Sequence, residues 1–114
     1  MTDRGKGTTT MSRMFAAVLM YEVRSSRPDH APLFEETVTL LAADSAEHAA
    51  ERAREHAESR ETTFPDHTGD LITWSFRHLV DVTEVDGPLG DGADVYTRHF
   101  SDYRAYLAVE PLAS

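Results

Sequence analysis

Between residues 71 and 85 the chain reads LITWSFRHLVDVTEV. Ile72, Trp74, Phe76, Val80 and Val82 alternate with the polar Thr73, Ser75, Arg77, Asp81 and Thr83. A period of two in a run rich in β-branched and aromatic residues predicts a long strand with one buried face. This strand carries the only tryptophan of the chain and is expected to be the keel of the core. His78 falls on the apolar side of the alternation, which predicts a hydrogen-bonded core histidine or, if a carboxylate orients it, a general base tuned by burial.

Upstream, MFAAVLMY (residues 14–21) is apolar at every position except the final tyrosine. It predicts a strand over residues 13–24 covered on both faces, by the rest of the chain or by a second copy. After a turn with Pro28 and Pro32, residues 33–42 alternate again. Phe34, Val38 and Leu40 share one face, and Glu35, Thr37 and Thr39 the other. The two strands should pair as an antiparallel hairpin. Asp44-x-x-Glu47 is a capping box that opens a helix ending near Arg60, with Ala46, Ala49, Ala50, Ala53 and Ala57 as a stripe that lets a helix lie close to a sheet. Residues 61–70, with Pro65 and Gly69, are expected to be a loop. The segment DGPLGDGAD (residues 86–94) is a turn, residues 95–100 a fourth strand antiparallel to the keel, and Ser101 the cap of a short final helix, or the start of a fifth strand.

The order is therefore ββαββ. The fold class is α+β, with a four-stranded, mainly antiparallel sheet, one helix packed on it and a short C-terminal helix or strand. Residues 1–12, MTDRGKGTTTMS, are expected to be a disordered tail, and residues 13–114 a single α+β domain.

At 114 residues with 40% hydrophobic content, the chain can bury one modest core. The formal net charge of −9 argues against a nucleic-acid surface, which needs clustered Lys and Arg. It suits a basic protein partner, or plain solubility. With no cysteine, disulfides, thiolate zinc sites and cysteine nucleophiles are excluded. The run at residues 14–21 is too short to span a bilayer and is followed by Glu22 and Arg24 rather than a cleavage site. The expected location is the cytoplasm, with no membrane contact.

Several short stretches, in this order, resemble a bacterial family of small uncharacterised proteins, the domain of unknown function numbered 4288. They are Phe15-Ala16 with Tyr21; Glu36 to Leu40 leading into Ala43, Ser45 and the alanine helix; Trp74-x-Phe76 with Val80-Asp81-Val82; and Val95-Tyr96-Thr97-Arg98-x-Phe100. The resemblance implies a compact α+β domain. It implies no activity, so it assigns no catalytic residues.

The candidate chemistry is sparse. His48 and His56 lie eight apart on the helix with Arg52 between them, which is not the i, i+4 pair of a zinc protease helix. Asp66-His67-Thr68-Gly69-Asp70 is shorter and less acidic than a calcium loop and reads as a turn. No nucleophile elbow, phosphate loop or paired-carboxylate motif is present, and no catalytic residue, metal ligand or cofactor is assigned. Two surfaces remain. The exposed acids Glu47, Glu51, Glu55 and Glu58 of the helix, with Asp86, Asp91 and Asp94 of the turn, suit a basic partner approached by charge steering. Arg77 and Arg98 could lie together on the non-core sheet face beside Thr73, Ser75, Tyr96 and Glu35, either holding a carboxylate or phosphate with help from His78 or His99 or forming cross-strand salt bridges with the surplus acids. The leading expectation is a non-enzymatic acidic protein-binding module, of which an immunity or antitoxin-like protein is one form, and a homodimer. The alternative is a small-molecule binder or minor enzyme on the arginine face.

Overall fold

A computed structural model of the chain describes residues 13–110. The expected tail, residues 1–12, lies outside the described residues. Strand β1 (Arg13–Ser25) and strand β2 (Leu33–Ala43) form a hairpin, followed by helix α1 (Ala46–Ser59), strand β3 (Thr62–Pro65), strand β4 (Leu71–Glu84) and helix α2 (Tyr103–Val109). The four strands make one sheet in the order β2-β1-β4-β3, antiparallel throughout. The ββαββ, α+β expectation holds, and the C-terminal element is a helix.

β1 is central, as its apolar character on both faces requires. Its odd positions Phe15, Ala17, Leu19 and Tyr21 are buried beneath α1. The helix meets them through Ala49, Ala53 and Ala57, all fully buried. Side chains of one carbon allow a close approach, so most of the buried area on this face comes from the sheet. Trp74 and Phe76 pack around Tyr21 at ring-centroid distances of 6.3 and 6.0 Å.

The register between β1 and β4 shifts twice. Val18 pairs with Asp81 but Leu19 with Leu79, and Met20 pairs with His78 but Tyr21 with Phe76. Val80 and Arg77 are thus the extra residues of two bulges, and each bulge changes the strand's phase. The residues packed on the core are Trp74, Phe76, Leu79 and Val82. His78 is therefore not a core histidine: the bulge at Arg77 turns it to the face away from α1, opposite Met20, where it is exposed.

The fourth strand is also not where alternation placed it. Residues 95–100 form no strand, and Thr62–Pro65, expected to be loop, pairs with Leu71 to Trp74 instead. The connecting turn is built by Asp66. Its carboxylate accepts from the Thr68 amide (2.8 Å), the Thr68 hydroxyl (2.6 Å) and the Asp70 amide (3.1 Å). Gly69 completes it at φ 92°, a value side chains disfavour. Beyond the short β3, the outer edge of β4 is irregular because both bulges fall there. The Phe76 amide donates to Glu61 Oε2 and the Val82 amide to Asp81 Oδ1. This leaves no regular ladder for residues 95–100 to join.

The helix cap also moves by one residue. Ser45, not Asp44, is the N-cap, accepting from the His48 amide at 3.0 Å. His48 Nδ1 in turn accepts from the Asp44 amide at 3.2 Å, so His48 does the reaching back expected of Glu47.

Two outcomes test this arrangement. Leu19 is fully buried, and Leu19→Ala should destabilise the protein by about 3 kcal/mol in urea unfolding. The hydrogen bond from Thr68, with the two amides, holds the Asp66 carboxyl below its ordinary pKa. A depressed acid stabilises the fold above its unfolded pKa, and that stabilisation is lost as pH falls through the folded value. Thr68→Val should therefore raise the Asp66 pKa in an NMR titration and move the acid loss of the turn to higher pH.

Candidate interaction surface

The sheet face away from α1 is built by the even positions of β1 and β2 and by their partners on β4. Across it run the three-residue rows Thr83, Ala16 and Leu40; Asp81, Val18 and Val38; His78, Met20 and Glu36; and Ser75, Glu22 and Phe34. Ala16 and Val18 are buried here too. Their cover is the chain after β4. It starts with the Val85 amide bonded to the Met14 carbonyl (2.8 Å), passes through the glycine-rich turn, and anchors where the Tyr96 hydroxyl donates to Asp81 Oδ2 at 3.0 Å. Burial, reinforced by this bond to a carboxylate, pushes the Tyr96 phenol up. The arm then continues toward β2. There Arg98, Phe100 and the α2 residues Ala105, Tyr106 and Val109 enclose, with Glu36, a groove of about 570 Å³. Asp102 caps α2 by accepting from the Ala105 amide at 3.1 Å, in place of Ser101. Phe100 stacks on Tyr106 at 4.8 Å.

Coverage stops there. On β2, Phe34 is 63% exposed, Val38 45% and Leu40 39%. Helix α2 buries none of its residues and packs on no other described element.

Of the arginine-face residues, Arg77 and Tyr96 are on this side of the sheet, as expected, and Arg98 reaches it from the arm. They do not form an anion site. Arg77 Nη1 lies 3.3 Å from Glu22 Oε1, and Arg24 Nε lies 2.5 Å from the other oxygen of the same carboxylate. Glu22 is only 4% exposed, and a carboxylate withdrawn from water this far requires such partners. Arg77 is thus committed within the fold. Arg98 shares its groove with Glu36, Asp102 and Glu110, three acids that would repel a carboxylate or phosphate. His99 is exposed and takes no part in the groove wall. Thr73 and Ser75 are on this face, but Glu35 is not: it pairs with Tyr21 beneath α1. There its charge, with burial as the larger cause, raises the Tyr21 phenol.

The acids chosen for partner binding are all exposed. Glu47, Glu51, Glu55 and Glu58 follow each other along the outer side of α1, and no ion pair engages them among the described residues. Arg13 fixes the N-terminal end of that helix by donating to Glu84 (2.7 and 2.8 Å) and to the Asp44 carbonyl (2.8 Å). Asp86, Asp91 and Asp94 belong to the arm after β4, where Asp86 and Asp94 line a small cleft with Thr83 and Tyr96. The arm is anchored on the face away from α1, so the turn acids are not brought together with those of the helix. The four helix acids alone form a ridge. No group of His, Asp and Glu suited to a metal occurs among the described residues.

Sequence reasoning missed Glu22, Glu36 and the Asp81–Tyr96 anchor. One signal was available: the adjacent apolar pair Leu79-Val80 after polar Arg77-His78 breaks a period of two and marks a bulge.

An antiparallel four-stranded sheet with one alanine-faced helix, and a surface of exposed apolar and acidic side chains, defines a small α+β domain. The family model described as a domain of unknown function (DUF4288) matches residues 14–97, and the chain belongs to that family. The match covers the sheet, α1 and the Tyr96 anchor, and ends before Arg98 and α2. No curated protein and no solved structure matches the chain. No helix among the described residues is long and apolar enough to cross a membrane.

The arm's attachment is testable. Tyr96→Phe should speed amide exchange and proteolysis across residues 97–110 while leaving exchange in β1 unchanged, because the hydroxyl holds the arm and not the sheet.

Proposed function

We propose that this protein is a non-enzymatic binding module for a basic protein, acting in the cytoplasm. The observation that carries the proposal is the ridge of Glu47, Glu51, Glu55 and Glu58. Four carboxylates are held along one side of a 14-residue helix, and no described cation pairs with them. On a chain of net charge −9, such a ridge attracts a cationic surface at long range and speeds encounter. An inhibitor of a basic enzyme, in the manner of an immunity or antitoxin protein, is one form this takes, and the cysteine-free composition suits a reducing compartment. The small-molecule alternative has less behind it, since Arg77 is bonded to Glu22 and Arg98 is surrounded by acids.

Affinity capture from the native host lysate tests this, with wild type and the double reversal Glu51→Lys/Glu55→Lys as baits at low and high salt. Wild type should retain a stoichiometric basic protein at low salt and release it at high salt, and the reversed bait should lose it at least tenfold. Equal capture by both baits would refute the electrostatic mechanism.

A further inference from the structure

The two edges of the sheet are treated differently. The β3 edge is four residues long and ends in Pro65, and the β4 stretch beyond it carries two bulges whose amides are met by Glu61 and Asp81. These are the devices by which an edge avoids pairing with another strand. β2 has one of them only, at its end, where the Ala42 carbonyl accepts from Arg52 Nη1 at 2.5 Å. It runs for 11 residues without proline, glycine, lysine or bulge, and its other outer main-chain groups make no hydrogen bond to any other described segment. It also exposes Leu33, Phe34, Val38 and Leu40.

We infer that the β2 edge is the dimer interface of this protein, with the edge of a second copy pairing antiparallel about Val38 to give a continuous eight-stranded sheet. The pattern of β2 is self-complementary, as a two-fold contact requires. With Val38 opposite Val38, Thr37 meets Thr39, Glu36 meets Leu40, Glu35 meets Leu41 and Phe34 meets Ala42. The only charges of the strand, Glu35 and Glu36, are never opposed, although the chain as a whole is strongly acidic. All pairs keep their faces, so Phe34, Val38 and Leu40 of both copies come together on the side away from α1. A second copy also accounts for α2. Seven residues of helix do not hold in water alone, and α2 stands beside Glu36 on the β2 side with Tyr103, Leu107 and Val109 unburied, next to where the partner's sheet face would lie. The polar residues 1–12, MTDRGKGTTTMS, hold no branched aliphatic or aromatic side chain to fill this surface instead.

This interface is separate from the acidic ridge, and salt distinguishes the two. Screening weakens attraction to a basic partner but relieves repulsion between two copies that each carry −9. Sedimentation of the purified full chain at tens of micromolar should give twice the chain mass of 12.7 kDa, persisting or rising at high salt. Val38→Lys should weaken dimerisation at least tenfold with an unchanged circular dichroism spectrum, since Val38 is half exposed. Because the chain has no cysteine, Val38→Cys should cross-link to itself under mild oxidation, and Thr62→Cys on the opposite edge should not. A single-chain mass at both salts, or cross-linking of Val38→Cys no faster than Thr62→Cys, would overturn the inference.

Discussion

β1 lies between β2 and β4 with Phe15, Ala17, Leu19 and Tyr21 under α1 and with Ala16, Val18 and Glu22 closed off on the other side. Keeping both of its faces from water is the constraint on which the other elements depend. On one face it is met cheaply, by a helix whose alanines allow contact with the sheet. On the other no second helix of useful length is present among the described residues. That face is closed by a strap, tied down by Tyr96 on Asp81, and by a carboxylate neutralised between Arg24 and Arg77. Such a cover is narrow, and β2 at the side is left with apolar residues in solvent.

Much of this was legible in the sequence. The hairpin and the helix with its alanine stripe follow from periodicity, because each pairs or packs along its whole length and its pattern is uninterrupted, and the keel was legible as a strand though not in its phase. The errors concentrate at β4. Alternation is a rule for regular strands, and two one-residue bulges reset its phase between Phe76 and Val82. His78 was thereby assigned to the wrong face. The same irregularity denies residues 95–100 a partner edge, whereas the four residues of β3 were too few to show a period. Their pairing is fixed by the Asp66 turn, whose side-chain bonds to Thr68 and Asp70 give no hydropathy signal.

The candidate surface was only partly legible for a related reason. Exposed glutamates at helical spacing can be read directly, since nothing else in the fold competes for them. The arginines could be placed on a face but not assigned partners. Whether Arg77 is free depends on Glu22, 55 positions away, and whether Arg98 attracts an anion depends on Glu36, Asp102 and Glu110 lining the same groove. Charge balance at a site is a property of tertiary structure. Here it turns a basic pair into an internal brace and a predominantly acidic groove.

The placement of Trp74 has an experimental consequence. It is the sole indole, edge-on to Tyr21 and 5.9 Å beneath the guanidinium of Arg60 just past the end of α1, on the face that the strap and β2's exposed side chains do not touch. Its fluorescence is a built-in optical gauge of whether the helix is seated on the sheet. Loosening of the C-terminal strap, or traffic at the β2 edge, will pass largely unseen by it, so the two halves of this molecule's behaviour can be followed independently in one cuvette.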